Sequence, residues 1–279
     1  MILVLIVVVF LIGATLVVCG NKRWTANVKR LQEEIRVSSK PTLPGRYSAE
    51  ELERLPEFVQ RFFRVTLGET DSIVREVYIE HMGTFNLSED GENWRPFESA
   101  QYVTPRRPGF VWDARINVLP LVNIYVCDAY VQGEGLLCAK ALGLVPIMRR
   151  SGSAELAQGE LMRFLAESLW YPTSLLPSQG IVWEGLDYNS ARATLRDNGF
   201  SVSMTFVFDE RGLVSSVIAA DRYREIDGKQ VPCEWQGRFW NYRRCGKMLV
   251  PFEGEASWIL GKDIKPYWRG MIKKIEYRS

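Results

Sequence analysis

Apolar and polar residues alternate with a period of two along most of the chain, the pattern of β-strands with one buried face. The pattern is clearest in Phe200–Phe208, where every second residue is large and apolar. Gly, Asn, Asp and Pro residues separate the alternating runs and predict turns between them. The predicted strands are Val74–Leu87, Trp94–Val103, Phe110–Asn117, Leu121–Val131, Glu134–Leu142, Ala191–Arg196, Phe200–Phe208, Leu213–Arg224, Val231–Tyr242, Met248–Trp258 and Tyr267–Tyr277.

A helical period interrupts the strands once, and it predicts a helix over Ser153–Leu169. Glu160, Arg163 and Glu167 fall on one side of this helix, at the spacing of ion pairs within a helix. The opposite side forms an apolar stripe that predicts burial. The stripe consists of Ala157, Leu161, Phe164, Leu165 and Leu169.

The number of strands limits the possible folds, because a sheet of about ten strands must coil, close or split. Leu121–Val131 is apolar on both faces, as expected of a strand that is covered on each side. We therefore expect a mainly antiparallel β fold with a few helices (α+β). Its large curved sheet would form a half-barrel or a barrel, with the helix over 153–169 packed on or inside it. The expected domains are a transmembrane anchor at 1–20, a basic juxtamembrane stalk or linker at 21–46, and a single β-rich domain with short N-terminal helices at 47–279.

The first twenty residues carry no charge. An apolar helix of this length spans the hydrocarbon core of a bilayer, about 30 Å. A cleaved signal peptide is the alternative, but no basic residues precede the apolar run and no small-x-small site closes it. Val18 precedes Cys19 where a lipoprotein signal has a small residue, which disfavours lipidation of Cys19. These features predict a retained single-pass anchor in the cell membrane.

Basic residues follow the predicted anchor. Lys22 and Arg23 stand beside Trp24, a combination that fixes a helix end at the lipid headgroups. The positive flank favours a cytoplasmic domain, although an extracytoplasmic domain stays open. The stretch Trp24–Val37 is compatible with a helix, either a solvated stalk or a helix lying along an anionic surface.

Composition excludes several classes of function. A net charge of +2 does not indicate the basic surface of a nucleic-acid-binding protein. The single histidine, His81, stands in a predicted strand where a rim or surface position is expected, and its isolation argues against His-based metal sites and Ser–His or Cys–His catalysis. Phosphate-binding loops and dinucleotide fingerprints are absent from the sequence. We expect no cofactor, no metal and no assigned catalytic residue.

Aromatic residues make up 12% of the chain, including nine Trp, which favours β structure or a lined cavity. Asp113 and Arg115 share one face of a predicted strand, away from Trp112. They form either a water-exposed ion pair or a polar anchor for a ligand head group. The candidate ligand-binding residues are Trp94, Phe97, Trp112, Asp113, Arg115, Tyr130, Trp170 and Trp240.

Two cysteines are predicted to face each other. If Gln132-Gly133 is a two-residue hairpin turn, Cys127 lies directly opposite Cys138. Either a disulfide or two small buried side chains fits this register, and a disulfide would indicate an oxidising compartment.

Several motifs together resemble one known family. They include Trp94-Arg95-Pro96-Phe97, Asp128-Ala129-Tyr130-Val131, Trp170-Tyr171-Pro172-Thr173 and Pro266-Tyr267-Trp268-Arg269-Gly270. From about Leu55 to the end, the chain resembles a bacterial family of unknown function of the DUF6544/DUF6920 type. The resemblance implies a bacterial source and no particular activity. A looser likeness, of architecture only, is to bacterial lipoprotein and lipid carriers.

Three functions remain open. The first is a membrane-anchored module that binds a hydrophobic or lipid-like ligand in a cavity of the curved sheet. The second is a scaffold or interaction protein at the membrane, marked by an exposed apolar patch. The third is a hydrolase-type enzyme that would need carboxylates such as Glu98, Asp113 and Glu160 to meet in one cleft. The membrane and a hydrophobic small molecule are the expected partners, and nucleic acid is not.

Overall fold

The chain folds into one large antiparallel sheet with three α-helices, in a computed structural model that describes residues 1–38, 45–70, 72–88, 91–120, 122–226 and 228–278. In the first of these ranges, the side chains of residues 2, 3, 5–7, 9, 10 and 12 lie outside the description. The helices are α1 (Ile2–Ser38), α2 (Glu57–Leu67) and α3 (Ala154–Glu167). Short 3-10 helices cover Ala49–Leu52, Ser168–Trp170, Pro172–Leu175 and Pro177–Gln179.

Thirteen strands build the sheet, and the alternation of the sequence predicted most of them. The first six are β1 (Glu76–Asn86), β2 (Trp94–Val103), β3 (Phe110–Leu119), β4 (Val122–Val131), β5 (Glu134–Ala141) and β6 (Val145–Ser151). The other seven are β7 (Val182–Gly185), β8 (Ser190–Asp197), β9 (Phe200–Phe208), β10 (Val214–Ile226), β11 (Lys229–Cys245), β12 (Met248–Leu260) and β13 (Asp263–Arg278). The prediction missed β6 and β7. They are the two edge strands, and neither needs a continuous buried face.

The strand order is β6-β5-β4-β3-β2-β1-β13-β12-β11-β10-β9-β8-β7. The first and last strands of the chain therefore pair at the centre, and a meander extends from each of them to an edge. The chain must pass from edge strand β6 to edge strand β7, and this connection contains α3. Because the connection links opposite edges, α3 lies across one face of the sheet.

The contacts of α3 show that the sheet is rolled. This helix packs on β4 and β5 and also on β9 and β10. In the strand order β4 is third and β10 is tenth. On a flat sheet with a spacing of about 4.8 Å they would lie about 34 Å apart, whereas a helix is only about 10–12 Å wide. The sheet must therefore curve around α3, and the expected half-barrel with a helix inside it is confirmed.

Side chains connect the two halves of the rolled sheet. The Tyr130 hydroxyl of β4 donates to Asp197 Oδ2 of β8 across 2.8 Å. Arg150 of β6 forms an ion pair with Glu225 of β10 at 2.6 Å. The edge strands β6 and β7 are not hydrogen-bonded to each other. Side-chain contacts thus hold the curvature without closing the backbone ladder.

The main core lies on the inner face of the sheet, where α2, α3 and the 3-10 helices cover it. Pro56 precedes α2, and the apolar side of this helix buries Val59, Phe62, Phe63 and Leu67. Ser48 caps the 3-10 helix Ala49–Leu52 by accepting from the Glu50 amide.

Helix α1 runs without a break through the predicted boundary between anchor and stalk. Its second half packs on the outer face of β3 and β4 through Trp24, Val28, Leu31 and Ile35, which are all buried. The expected free stalk is therefore wrong for residues 24–38. Their apolar stripe of spacing 3 and 4 contacts the sheet, because β4 also carries apolar residues on that outer face.

Over the described part of the chain, none of the helices combines the length and the apolar character that a membrane crossing requires. Residues 39–44, part of the predicted stalk or linker at 21–46, lie outside the described residues.

Candidate functional site

A cavity of about 720 Å³ lies between the inner face of the sheet and α3. Its apolar wall contains six tryptophans together with Phe85, Phe239 and Tyr267. Its polar wall comes from α3 and from the neighbouring faces of β4 and β10. The six tryptophans are Trp94, Trp112, Trp170, Trp235, Trp258 and Trp268.

The two-residue period of the strands explains why these rings meet. On β3, the even-numbered residues Phe110, Trp112 and Ala114 face the main core, while Val111 faces α1. Residues from strands far apart in sequence converge because the sheet is rolled. Phe97 supports the resulting wall, with its ring centroid 6.0 Å from that of Trp112 and 5.9 Å from that of Trp268.

A β-bulge in β10 directs an arginine into the cavity. Ala219 pairs with Trp235, but Arg222 pairs with Cys233, so β10 carries one extra residue between these pairs. The extra residue reverses which side chains point inward. Arg222 therefore lies over the Trp235 ring at 5.0 Å and places its Nη1 3.5 Å from the Tyr267 hydroxyl. That hydroxyl also accepts from Trp235 Nε1 at 2.9 Å.

The polar side of α3 faces the cavity and not bulk water. Arg163 donates from Nη1 to Asp128 Oδ2 of β4 and from Nε to Glu167 Oε1, both at 2.7 Å. Gln101 of β2 donates to the other Glu167 oxygen at 2.6 Å. The Arg163 guanidinium also lies 4.9 Å from the Trp112 ring centroid. One arginine therefore joins α3, the sheet and the aromatic wall.

Two carboxylates in this cluster have unpaired oxygens. Glu160 Oε2 and Asp128 Oδ1 are buried and have no hydrogen-bond partner among the residues that the structure describes. Burial raises the pKa of Glu160 to about 8, and the nearby Asp128 charge adds to the effect. Burial also raises the pKa of Asp128, while Arg163 and Arg222 oppose that rise. At neutral pH Glu160 is mostly protonated, so it can donate a hydrogen bond to a ligand or exchange a proton.

His81 is a correction to the sequence prediction, which placed it at the rim or surface. It is only 1% exposed and shares the inward face of β1 with Val77 and Ile79. Its ring packs with its centroid 4.7 Å from that of Trp170, and within the described part of the chain neither ring nitrogen has a hydrogen-bond partner. Burial, helped by the Arg163 charge, lowers the pKa of His81 to about 3. The imidazole is therefore neutral at physiological pH.

The structure brings three of the eight predicted ligand-binding residues together in the cavity: Trp94, Trp112 and Trp170. Phe97 supports the wall from beneath. Tyr130 lies on the inner face but is fully buried, and its hydroxyl holds Asp197.

The other predicted site residues lie on the outer face. Trp24 Nε1 of α1 donates to Asp113 at 2.7 Å, and Arg115 is ion-paired with the same carboxylate. Asp113 and Arg115 do share a face, as predicted, but they hold α1 on the sheet and do not reach the cavity. Trp240 lines a separate outer groove of about 730 Å³ and donates to Glu253.

Sequence reasoning missed several cavity residues, chiefly Trp235, Trp258 and Trp268 with Arg222. Parity along β11 would have separated Trp235 from the outward-facing Trp240, since their positions differ by an odd number. Nothing in the sequence indicated the bulge that directs Arg222 inward. The carboxylates proposed for catalysis do not meet, because Asp113 and the exposed Glu98 lie on the outer face while Glu160 lies in the cavity.

Cys127 and Cys138 are register partners, as predicted, and both are free thiols. Cys127 is buried against α1, and burial raises the pKa of its thiol. Among the described residues, no group of three His, Cys, Asp or Glu side chains could hold a metal ion.

Comparison with known proteins places the chain in a family. No curated protein matches it. Two similar solved structures are a LolA-superfamily protein from Nitrosomonas europaea (TM-score 0.42, 7% identity, covering 80% of this chain and 92% of that chain) and a putative outer membrane lipoprotein-sorting protein domain from Vibrio parahaemolyticus (TM-score 0.45, 12% identity, covering 83% and 94%). The model of a family of unknown function, DUF6920, matches residues 53–277, and the chain belongs to this family.

Proposed function

We propose that this protein is a membrane-anchored module that binds a hydrophobic or lipid-like ligand in the cavity between the curved sheet and α3. The observation that carries the proposal is the convergence of six tryptophans on one cavity of about 720 Å³. Small-molecule sites are concave, mostly apolar and about 300–1,000 Å³ in volume, with a few polar groups that fix orientation.

The polar wall supports an amphiphilic ligand over a purely apolar one. Arg163 and Asp128 place a fixed hydrogen-bonding cluster at one side of the aromatic surface. Glu160 and Arg222 add groups whose hydrogen-bonding capacity the protein does not fully use. A head group would bind at this cluster while its apolar chain lies along the tryptophans.

The sequence of residues 1–20 supports the membrane anchor. This segment has no charged residue and is long enough, at about 1.5 Å per residue, to cross a hydrocarbon core. Helix α1 continues through it beyond the last contact with the sheet, and Val4, Leu11 and Leu16 are exposed. We propose a single-pass protein of the cell membrane, with Lys22 and Arg23 favouring a cytoplasmic domain.

Native mass spectrometry of the full chain, released from mild detergent in the gas phase, tests ligand binding. We expect one amphiphile to remain with each chain, and its mass identifies it. The variant Ala256→Phe fills the cavity, because Ala256 lines it. Ala220→Phe is the matched control, since Ala220 is exposed on β10. An empty wild-type chain, or equal retention in both variants, would refute the proposal.

One observation favours a second candidate, an interaction protein. The outer groove around Trp240 exposes apolar side chains, with Trp240 41%, Met82 41% and Met271 43% exposed. A protein partner in this groove would slow hydrogen exchange of β12 and β13 in native membranes relative to the purified chain. Unchanged exchange there would exclude this candidate.

A further inference from the structure

We infer that one end of the sheet rests on the surface of a lipid bilayer, so that the mouth of the cavity opens toward the membrane. The inference rests on the proposed function, because the bilayer would then supply the ligand directly. Its evidence is the position of exposed aliphatic residues, of helix α1 and of the mouth at the same end.

Strand pairing identifies this end. Successive strands are antiparallel, so the β1–β2, β3–β4 and β5–β6 connections share one end of the sheet. The β12–β13 turn lies at that end too, because Phe85 near the end of β1 pairs with Trp268 near the start of β13. By the same alternation the β8–β9 and β10–β11 turns belong there, although the rolled sheet brings Asn198 of the β8–β9 turn against Gly133 of the β4–β5 turn. We call this the mouth end.

Exposed aliphatic side chains occur at five of these six connections, and the β8–β9 turn (Asp197-Asn198-Gly199) carries none. Polar residues normally occupy hairpin tips, so a repeated apolar residue at one end indicates a surface that contacts something apolar. The residues are Leu87 at β1–β2, Leu119 at β3–β4, Val145 at β5–β6, Ile226 at β10–β11 and Ile264 at β12–β13, between 36% and 62% exposed.

Helix α1 leaves the sheet at the mouth end. Ile35 packs beside Gly109 in the β2–β3 connection, at the opposite end. Gly20 packs against the β5–β6 connection so closely that a Cβ atom would lie 2.4 Å from Leu144 Cγ. The preceding residues therefore extend past the mouth end by about 28 Å at 1.5 Å per residue. The uncharged segment 1–20 therefore begins at the end of the sheet where the turns expose their aliphatic residues.

The basic residues of α1 at the mouth end favour a bilayer that contains anionic lipid. Lys22 and Arg23 on α1 and Lys229 and Lys262 in the turns are all exposed. Basic residues beside an apolar segment are attracted to anionic headgroups. The same turns also carry Glu89, Asp90, Glu92, Asp227 and Asp263, so they are not net basic and the attraction rests on Lys22 and Arg23.

Two of the same connections, β1–β2 and β12–β13, line the mouth of the cavity. Leu87 and Glu92 of the β1–β2 loop line the cavity, as do Ile264 and Lys265 at the start of β13. A ligand that leaves the bilayer at this point would pass from the lipid to the tryptophans without crossing bulk water.

Photocrosslinking of the full chain tests the inference. The chain is placed in nanodiscs of phosphatidylcholine and phosphatidylglycerol, with p-benzoylphenylalanine in place of Leu119 or Ile264. The control position is Tyr188, which is 89% exposed in the β7–β8 connection at the opposite end. All three positions are exposed, so the fold should tolerate the change. We expect lipid adducts at positions 119 and 264 in at least tenfold higher yield than at position 188.

Equal adduct yields at the three positions, or adducts only at position 188, would overturn the inference. Native mass spectrometry of the same preparations reports separately on the cavity. A chain that retains its ligand without adducts at 119 and 264 would refute the bilayer contact and leave the proposed function intact. A chain with adducts at 119 and 264 and an empty cavity would support the bilayer contact and refute the ligand-binding function.

Discussion

Arg163 of α3 donates to Asp128 of β4 across 2.7 Å, inside the cavity and not on the surface. The same guanidinium binds Glu167 and lies against the Trp112 ring. Polar clusters of this kind are costly to bury unless their charges are paired. Arg163 therefore makes the burial of the neighbouring carboxylates possible, and it also fixes α3 relative to the aromatic wall.

Replacing Arg163 by Met should destabilise the protein strongly. The substitution leaves the Asp128 and Glu167 carboxylates buried without their cation, which costs about 3–5 kcal/mol in typical buried pairs. The free energy of unfolding, measured by denaturant titration, is the readout. The matched control is Arg192→Met, which removes the exposed pair with Glu184 and should cost no more than about 1 kcal/mol. Similar losses in the two variants would contradict the buried role of Arg163.

The stability of the protein should fall as the pH rises above about 6.5. The pKa of Glu160 is about 8 in the folded chain against an ordinary 4.5, so between these values the folded state holds a proton that the unfolded state has lost. Raising the pH through this window lowers the free energy of unfolding, by at most about 1.4 kcal/mol per pH unit for one proton.

His81 acts in the opposite direction at lower pH. Its pKa is about 3 in the folded chain against an ordinary 6.5, so stability rises with pH between these values. The two groups oppose each other from pH 4.5 to 6.5, and of these two only Glu160 acts above that range. Glu160→Gln should remove the decline between pH 6.5 and 8, whereas Glu92→Gln at the exposed mouth should leave it. If the free energy of unfolding of Glu160→Gln still declines between pH 6.5 and 8, another group causes the decline.

Trp24→Phe should loosen α1 from the sheet. The change removes the hydrogen bond from the buried indole to Asp113, and leaving a buried polar group without its partner costs about 1–3 kcal/mol. Hydrogen exchange should become faster in residues 21–38 and stay unchanged in α3. Trp240→Phe removes a comparable indole bond at an exposed site and is expected to have a smaller effect. Unchanged exchange in 21–38 would show that the apolar contacts of α1 suffice without this bond.

The strands were predictable because alternation reports a single buried face. Trp94–Val103 and Phe200–Phe208 have the predicted bounds. The prediction failed at β6 and β7, where the edge position removes the need for alternating apolar residues. It also missed the packing of α1 on the sheet, since the stripe of Val28, Leu31 and Ile35 was interpreted only as part of a solvated stalk or of a helix on an anionic surface.

The cavity was only partly predictable, for physical reasons that differ between residues. The helical period placed Glu160 and Arg163 on the side of α3 opposite its apolar stripe. The period alone does not show whether that polar side faces bulk water or an internal cavity. Trp112 and Trp170 were identified from the aromatic content of the chain, and Trp240 was grouped with them because parity along β11 was not applied. Arg222 depends on a one-residue bulge whose position the sequence does not mark.

Binding of a brominated amphiphile tests the central claim most directly, since bromine quenches tryptophan fluorescence on contact. The full chain, in nanodiscs, is titrated with a single-chain brominated lipid. The cavity predicts a component that saturates at one molecule per chain, is lost in Ala256→Phe and is retained in Ala220→Phe. Quenching that rises in proportion to added lipid, without saturation and equally in the three proteins, would contradict a ligand-binding cavity.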